Sequence, residues 1–376
     1  MYKFAIKAVP FAIVAAFAAG TASAEDLVVK IGHVAPLSGG QAHYGKDNEN
    51  GAKLAIADLN KSGIKIGGKT VKWVLVSEAD AADPKQGTAV AQKLVDEKVN
   101  GVVGHLNSGT TLPASKIYFD AGIPQITPSA TNPKYAQQGF KTAFRIIAND
   151  NALGAATANY AVKTLKAKKV AVIDDRTAYG QGVADIFAKT AEANGAKVVT
   201  RQYTNDKASE FSAILTAVKA SAPDVVFYGG MDAQAGPMVR QMKALGINAT
   251  LMGGDGICTQ EILKLGGDAV GENVVCAEGG QSLAKMPKGK EFETRYKATY
   301  NQEIQVYAPY VYDAVMTLAE AMKKANSAEP AKYLPELAKI SYNGVTTKVE
   351  FEANGELKNA AATLYNYKGG KKTPLN

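Results

Sequence analysis

Gly104-His105-Leu106-Asn107-Ser108-Gly109-Thr110-Thr111 follows a short apolar run and precedes a helical pattern. Free backbone N–H groups and hydroxyls at such a junction suit a carboxylate or a phosphate. Plain N-capping by Ser108 or Thr110 accounts for the same residues. Thr127-Pro128-Ser129-Ala130-Thr131 is a second junction of this kind, able to wrap a polar ligand or to form a β-turn with Pro at an inner position. Tyr44 and Tyr179 each precede a Gly at a helix start, where an aromatic ring can cover a ligand or simply pack. Met252-Gly253-Gly254-Asp255-Gly256 sets one carboxylate in a glycine-rich turn, placed to hold an ammonium group or to close an Asx-turn.

Signals for catalysis are poor. There is no G-x-S-x-G elbow, no Walker loop and no H-E-x-x-H. Gly180-Gln181-Gly182 begins like a dinucleotide fingerprint but lacks its third Gly. His105 and Ser108 make a dyad only by proximity in sequence, with no evident orienting acid. Two Cys and three His exclude a multi-cysteine cluster and a His-rich metal site, so neither a metal nor a cofactor is expected. The formal charge of +8, from 43 basic and 35 acidic residues, is mild for 376 residues and does not point to nucleic acid. The chain is not expected to be an enzyme. Lys368-Gly369-Gly370-Lys371-Lys372 reads as a solvated basic tail.

Residues 1–24 read as a secretory signal. Lys3 and Lys7 precede an apolar stretch from Ala8 to Ala19, and Ala22-Ser23-Ala24 is a small-x-small cleavage pattern, with cleavage expected after Ala24. The apolar stretch is too short to span a hydrocarbon core of about 30 Å. An exported chain meets an oxidising compartment, where Cys258 and Cys276 are expected to pair.

The elements that must hold these junctions alternate strictly. Leu27–Val34, Val71–Val76, Gly101–Gly104 and Ile123–Thr127 read as strands, with helices over Asn50–Asn60, Pro84–Glu97 and Leu112–Ala121. A second series starts near residue 150. Its strands are Lys169–Asp174, Lys197–Tyr203, Asp224–Tyr228 and Thr250–Gly253, and its helices are Asn151–Leu165, Gly182–Asn194, Phe211–Ala220 and Ala235–Leu245. The segment 282–325 reads as mostly helical, and Thr347–Phe351 and Ala362–Tyr367 as strands. Alternation of this kind argues for parallel sheets covered on both faces. The two series resemble each other, since a strand leads through a loop to Tyr-Gly and a helix in both. Two facing α/β lobes make a cleft, with ligands beyond the carboxyl ends of the strands.

Four stretches resemble the periplasmic branched-chain amino-acid (Leu/Ile/Val) binding proteins of ABC transporters: Ala81-Ala82-Asp83-Pro84-Lys85-Gln86, Gly104–Ser108, Ile126–Thr131 with Asn132-Pro133, and Phe227–Gly230. The resemblance runs over nearly the whole chain after the signal. It implies the type I binding-protein fold, two doubly wound Rossmann-like lobes joined by three hinge crossings near 146–150, 277–282 and 357–361. The implied N-terminal lobe is 25–148 with 280–358, and the C-terminal lobe 149–279 with 359–376. By position, Ser108 and Thr131 match residues that bind a ligand α-carboxylate, with Leu106, Asn107 and Ala130 in the same wall. Ser129 matches a carbonyl that receives the α-ammonium, and Asp255 the acidic residue that pairs with it. Tyr44, Tyr179 and Tyr307 match aromatic positions around the ligand. Well-known members carry Glu at the position of Asp255 and often Tyr at that of Met231, and their first-lobe disulfide is absent because Ala82 and Asn107 occupy its positions.

The resemblance implies a periplasmic, monomeric protein that captures an α-amino acid by hinge closure and delivers it to the permease and ATPase subunits of an importer. Its alternatives are a same-fold binder of an amide, urea or aromatic acid, or a ligand sensor.

Overall fold

The structure is a computed structural model and describes residues 1–2 and 26–375. The expected signal segment, apart from its first two residues, lies outside the described residues.

Two separate sheets form. The first contains β1 (Leu27–Ala35), β2 (Lys65–Ile66), β3 (Lys69–Ala79), β4 (Gly101–Gly104), β5 (Gln125–Thr127) and β6 (Ala143–Arg145), in the order β2-β3-β1-β4-β5-β6. All its pairings are parallel except the short β2–β3 ribbon. The second contains β7 (Lys169–Asp174), β8 (Lys197–Tyr203), β9 (Val225–Gly229), β10 (Thr250–Gly253) and β11 (Val274–Gly279), followed much later in the chain by a hairpin. The small pair β12 (Tyr342–Asn343) and β13 (Lys348–Val349) precedes that hairpin of β14 (Ala362–Lys368) and β15 (Lys371–Pro374). The second order is β15-β14-β11-β10-β9-β7-β8, with β14 and β15 antiparallel. The parallel parts share one winding: each sheet begins at an inner strand, steps to one side, then crosses back and proceeds the other way. Both therefore have a switch point, between β1 and β4 and between β7 and β9, where strand ends diverge and leave a crevice.

Helices cover both faces. The first sheet carries α1 (Ala42–Ser62), α2 (Pro84–Asp96), α3 (Ser108–Asp120) and the short α4 (Lys134–Gln137). The second carries α5 (Asp150–Asn159), α6 (Ala178–Ala193), α7 (Ser212–Ala220), α8 (Asp232–Ala244) and α9 (Glu261–Gly266). The chain then returns to the first sheet as α10 (Gly289–Tyr300), α11 (Ala308–Lys324) and α12 (Pro330–Ala338). Local chemistry sets the starts: Asp83 accepts from Lys85 and Gln86 N–H with Pro84 opening α2, and Thr177 accepts from Gly180 N–H at α6. Strands β4 and β9 are buried throughout, as their apolar runs require.

The chain passes between sheets three times, after β6, after β11 and before β14. One expectation changes, and one holds. The Lys368–Lys372 stretch is not a solvated tail: Gly369 and Gly370, both at positive φ, make the turn of the β14–β15 hairpin. Lys372 points inward from it, donating to the carbonyls of Cys258 (2.9 Å) and Gln305 (3.1 Å) and pairing with Glu278. Cys258 and Cys276 are disulfide-bonded, with Cα atoms 5.4 Å apart.

Candidate functional site

The carboxyl ends of β4 and β5 on one lobe face those of β7, β9 and β10 on the other. Ser108 opens α3 but does not cap it. The α3 N-cap is Asn107, and the Ser108 hydroxyl instead accepts from Asn132 N–H at 3.2 Å, joining the two first-lobe loops. Thr110 and Thr111 hydroxyls turn back onto the Asn107 carbonyl. In the second loop the Thr127 hydroxyl accepts from Ala130 N–H at 2.9 Å and donates to the His105 carbonyl at 3.1 Å. That compact turn leaves Ser129 and Thr131 buried, and neither hydroxyl has a hydrogen-bond partner of good geometry among the described residues.

Arg145 holds this loop from beneath. It is fully buried at the end of β6, donates to the carbonyls of Ala130 and Asn132 (2.8 Å to the latter), and pairs with Glu356 at 2.9 Å. Nothing local in the sequence marks it, because its partners lie on the preceding loop and on a segment far downstream.

Asp255 lies just past β10 and is 1% exposed. It makes no Asx-turn. Its Oδ2 accepts from the Tyr307 hydroxyl at 3.0 Å, across the lobes, and its Oδ1 has no partner among the described residues. Burial pushes its carboxyl up to about 6, while the Tyr179 and Tyr307 hydroxyls pull it back. Tyr307 is placed by Asp47 of α1, whose carboxylate accepts from Gln305, Val306, Tyr307 and Ala308 N–H groups and so caps α11 from another helix.

The other aromatic positions meet at Gly256. The Tyr44 hydroxyl donates to the Gly256 carbonyl (2.8 Å), and Gly256 N–H donates to the Tyr179 hydroxyl (2.9 Å). The Tyr44 and Tyr307 rings stand 6.0 Å apart. Glycine is required at this crossing: a Cβ on Gly256 would lie 2.7 Å from the Tyr179 ring and 2.9 Å from Met231 Sδ. Leu106 is buried in the same apolar cluster as Tyr44, Tyr179, Met231 and Tyr307. The Asn107 amide donates to Gln41 at 2.7 Å. A cavity of about 420 Å³ opens outward from Asn107, Tyr179 and Met231 toward Gln41, Asp175 and Asp206. Contacts between lobes run around the site, from Asn132 Nδ2 to the Ala178 carbonyl (2.6 Å) and from His43 to Asp232 (2.8 Å), so this is a closed arrangement.

Two constellations dissolve. His105 is a buried structural histidine, its Nδ1 on Asp80 (3.1 Å) and its Nε2 on the Tyr118 hydroxyl (3.0 Å), with no bond to Ser108. Gly180 and Gly182 serve close approach and not a pyrophosphate: a Cβ on Gly180 would lie 2.4 Å from the Gly229 carbonyl oxygen, and one on Gly182 would lie 2.7 Å from Asn132 Nδ2. One residue absent from the expected set also lies beside the Thr131 loop, its N–H donating to the Thr131 carbonyl. Asp150, the first residue of α5, is fully buried, and neither of its carboxylate oxygens has a partner of good geometry among the described residues.

The chain matches the family profile described as periplasmic binding protein over residues 28–372. It is 36% identical over 340 residues to an amino acid binding protein of Pseudomonas aeruginosa, covering 90% of each chain. It is 34% identical over 354 residues to that organism's leucine-, isoleucine-, valine-, threonine- and alanine-binding protein, covering 94% of this chain and 93% of the relative. Among solved structures it superposes on the branched-chain amino acid transporter substrate-binding protein LivJ of Streptococcus pneumoniae in complex with isoleucine. That match has a TM-score of 0.82 and 29% identity, and covers 92% of this chain and 97% of the other. Profile, relatives and architecture agree, and the chain belongs to the periplasmic binding protein family.

Proposed function

We propose that this protein is the exported substrate-binding component of an ABC importer, and that it captures an α-amino acid with an aliphatic, branched side chain. One observation carries the reading: a buried carboxylate on one lobe, Asp255, opposes buried, unpartnered hydroxyls of Ser129 and Thr131 on the other. Hydroxyl and backbone donors suit a carboxylate, and a desolvated carboxylate suits an ammonium, so the pair selects a zwitterion. Because the two halves sit on different lobes, only the closed form makes both sets of contacts, and the ligand favours closure by that difference in affinity.

In this reading Ser108, Ser129, Ala130 and Thr131 form the carboxylate wall, with Leu106 and Asn107 beside it. Tyr44, Tyr179, Met231 and Tyr307 enclose the side chain and the cation end. The rigid bodies are 25–148 with 280–358, and 149–279 with 359–376. The mature chain begins after Ala24, acts as a monomer in the periplasm without chemistry of its own, and is docked by a membrane permease with ATPase subunits.

The test is titration calorimetry of the mature chain against the amino acids, small amides, urea and aromatic acids. Leucine, isoleucine or valine is expected to bind, and Asp255→Ala to weaken that binding by about 2–5 kcal/mol, since it strips a buried ammonium of its partner. Asp255→Ala binding as tightly as wild type would overturn the site assignment. Binding of an amide or aromatic acid with no response to any α-amino acid would overturn the ligand class.

A further inference from the structure

Asp150 sits where the chain first crosses between the lobes. Its backbone N–H donates to the Thr131 carbonyl at 2.9 Å, which fixes it against the carboxylate wall. It is not needed as a helix cap, because the Asn149 side chain already accepts from Asn151 N–H. Its carboxylate is fully buried with neither oxygen in good hydrogen-bond geometry among the described residues, and the nearby Thr131 hydroxyl relieves it only in part, a costly arrangement for a structural group. The groups around it are the Thr131 hydroxyl from the loop after β5, Asp255 from the turn after β10, Tyr179 from α6, and Arg145 and Glu356 from the base of the first lobe. Arg145 is committed to Glu356 and to two carbonyls, so Asp150 keeps its charge problem. Burial first, and then the charge of Asp255, push its carboxyl up to about 8, against a smaller pull from the Thr131 hydroxyl and the Arg145 charge.

Two buried carboxylates on different elements thus lie close enough to repel each other, both beside the ring of Tyr179. We infer that Asp150 is a second anionic partner of the ligand's ammonium, and that the Asp150–Asp255 pair gates closure by making the closed cleft unfavourable until a cation lies between them. This rests on the amino-acid reading of the site. The Asp255 partner alone explains affinity for a cation. The pair explains why the cleft does not shut over an uncharged or purely anionic molecule of the same shape.

The experiment compares L-leucine with 4-methylpentanoate, the same skeleton without its amino group, on the mature wild type and on Asp150→Asn. Calorimetry gives affinity, and small-angle scattering gives closure. The isosteric amide is expected to lose about tenfold or more in leucine affinity, to lose none for 4-methylpentanoate, and to close over it where wild type stays open. In wild type the preference for leucine over 4-methylpentanoate is expected to grow between about pH 5 and about pH 8 as the pair ionises. That second measurement needs no variant to fold. Unchanged discrimination in Asp150→Asn overturns the inference, and so does an equal loss for both ligands. A wild type that binds neither leucine nor any other α-amino acid overturns the amino-acid reading itself, and the two failures are distinct.

Discussion

Arg145 does at the residue scale what the binding side chains cannot do for themselves. Ser129 and Thr131 lie on a loop, and a loop holds geometry only where its backbone groups are tied. The guanidinium takes the Ala130 and Asn132 carbonyls from below and is itself neutralised by Glu356. Arg145→Met leaves the buried Ala130 carbonyl without a donor, the Asn132 carbonyl with Tyr135 N–H alone, and Glu356 without its cation. The expected loss of stability is about 3–5 kcal/mol in urea denaturation, with weaker ligand binding alongside. Lysine at this position cannot fork between carbonyls and carboxylate, so Arg145→Lys is expected to recover only part of the loss. A variant as stable as wild type would show that the loop is held by its own turn.

Elements show how far the sequence could be read. Strands β1, β4, β7, β9 and β10 were legible because burial on both faces writes them as apolar runs between breakers. Strands β6 and β11 were not marked. The first is three residues long and ends in a charge, and the second lacks a helix of its own to complete the alternation. Of the site, the polar junctions and Asp255 stood out by residue type, and the family likeness supplied Met231 and Tyr307. Arg145, Asp150 and Lys372 had no such signal, because each is explained by partners remote in sequence. The disulfide belongs to this scale as well. Cys276 lies on β11 and Cys258 three residues past Asp255, so the bridge fastens the turn that carries the carboxylate to the adjacent strand. Reduction, or Cys258→Ala with Cys276→Ala, is expected to lower stability by about 2–4 kcal/mol, read from denaturation midpoints with and without reductant. No change on reduction would mean that the strand pairing alone holds the turn.

For the whole molecule, the two raised carboxyls set a direction with pH. Asp255 at about 6 and Asp150 at about 8 both bind protons more tightly in the closed fold than in an unfolded chain. Their effect on the ligand-free protein is therefore most favourable at low pH, below the ordinary carboxylate range, and is lost as pH rises through those values. A bound ammonium needs the ionised forms, so its stabilisation runs the other way. The shift in melting temperature given by saturating leucine is expected to widen from about pH 5 to about pH 8. A shift that is flat or narrows over this range would place the cation elsewhere.

The same molecule is built from threads that run back and forth. Asp47 near the start of the chain caps a helix that begins at Ala308, after the second sheet's parallel strands have been laid down. The second sheet takes its last two strands from residues downstream of that helix. The first half of the polypeptide therefore cannot complete its own lobe alone. A chain with contacts this distant in sequence gains little from partial assembly and folds slowly. A cut near residue 150 would leave the first sheet without α10–α12 and leave those helices, on the second fragment, exposing the apolar faces made for it, so the first lobe should be completed only when the pieces are mixed.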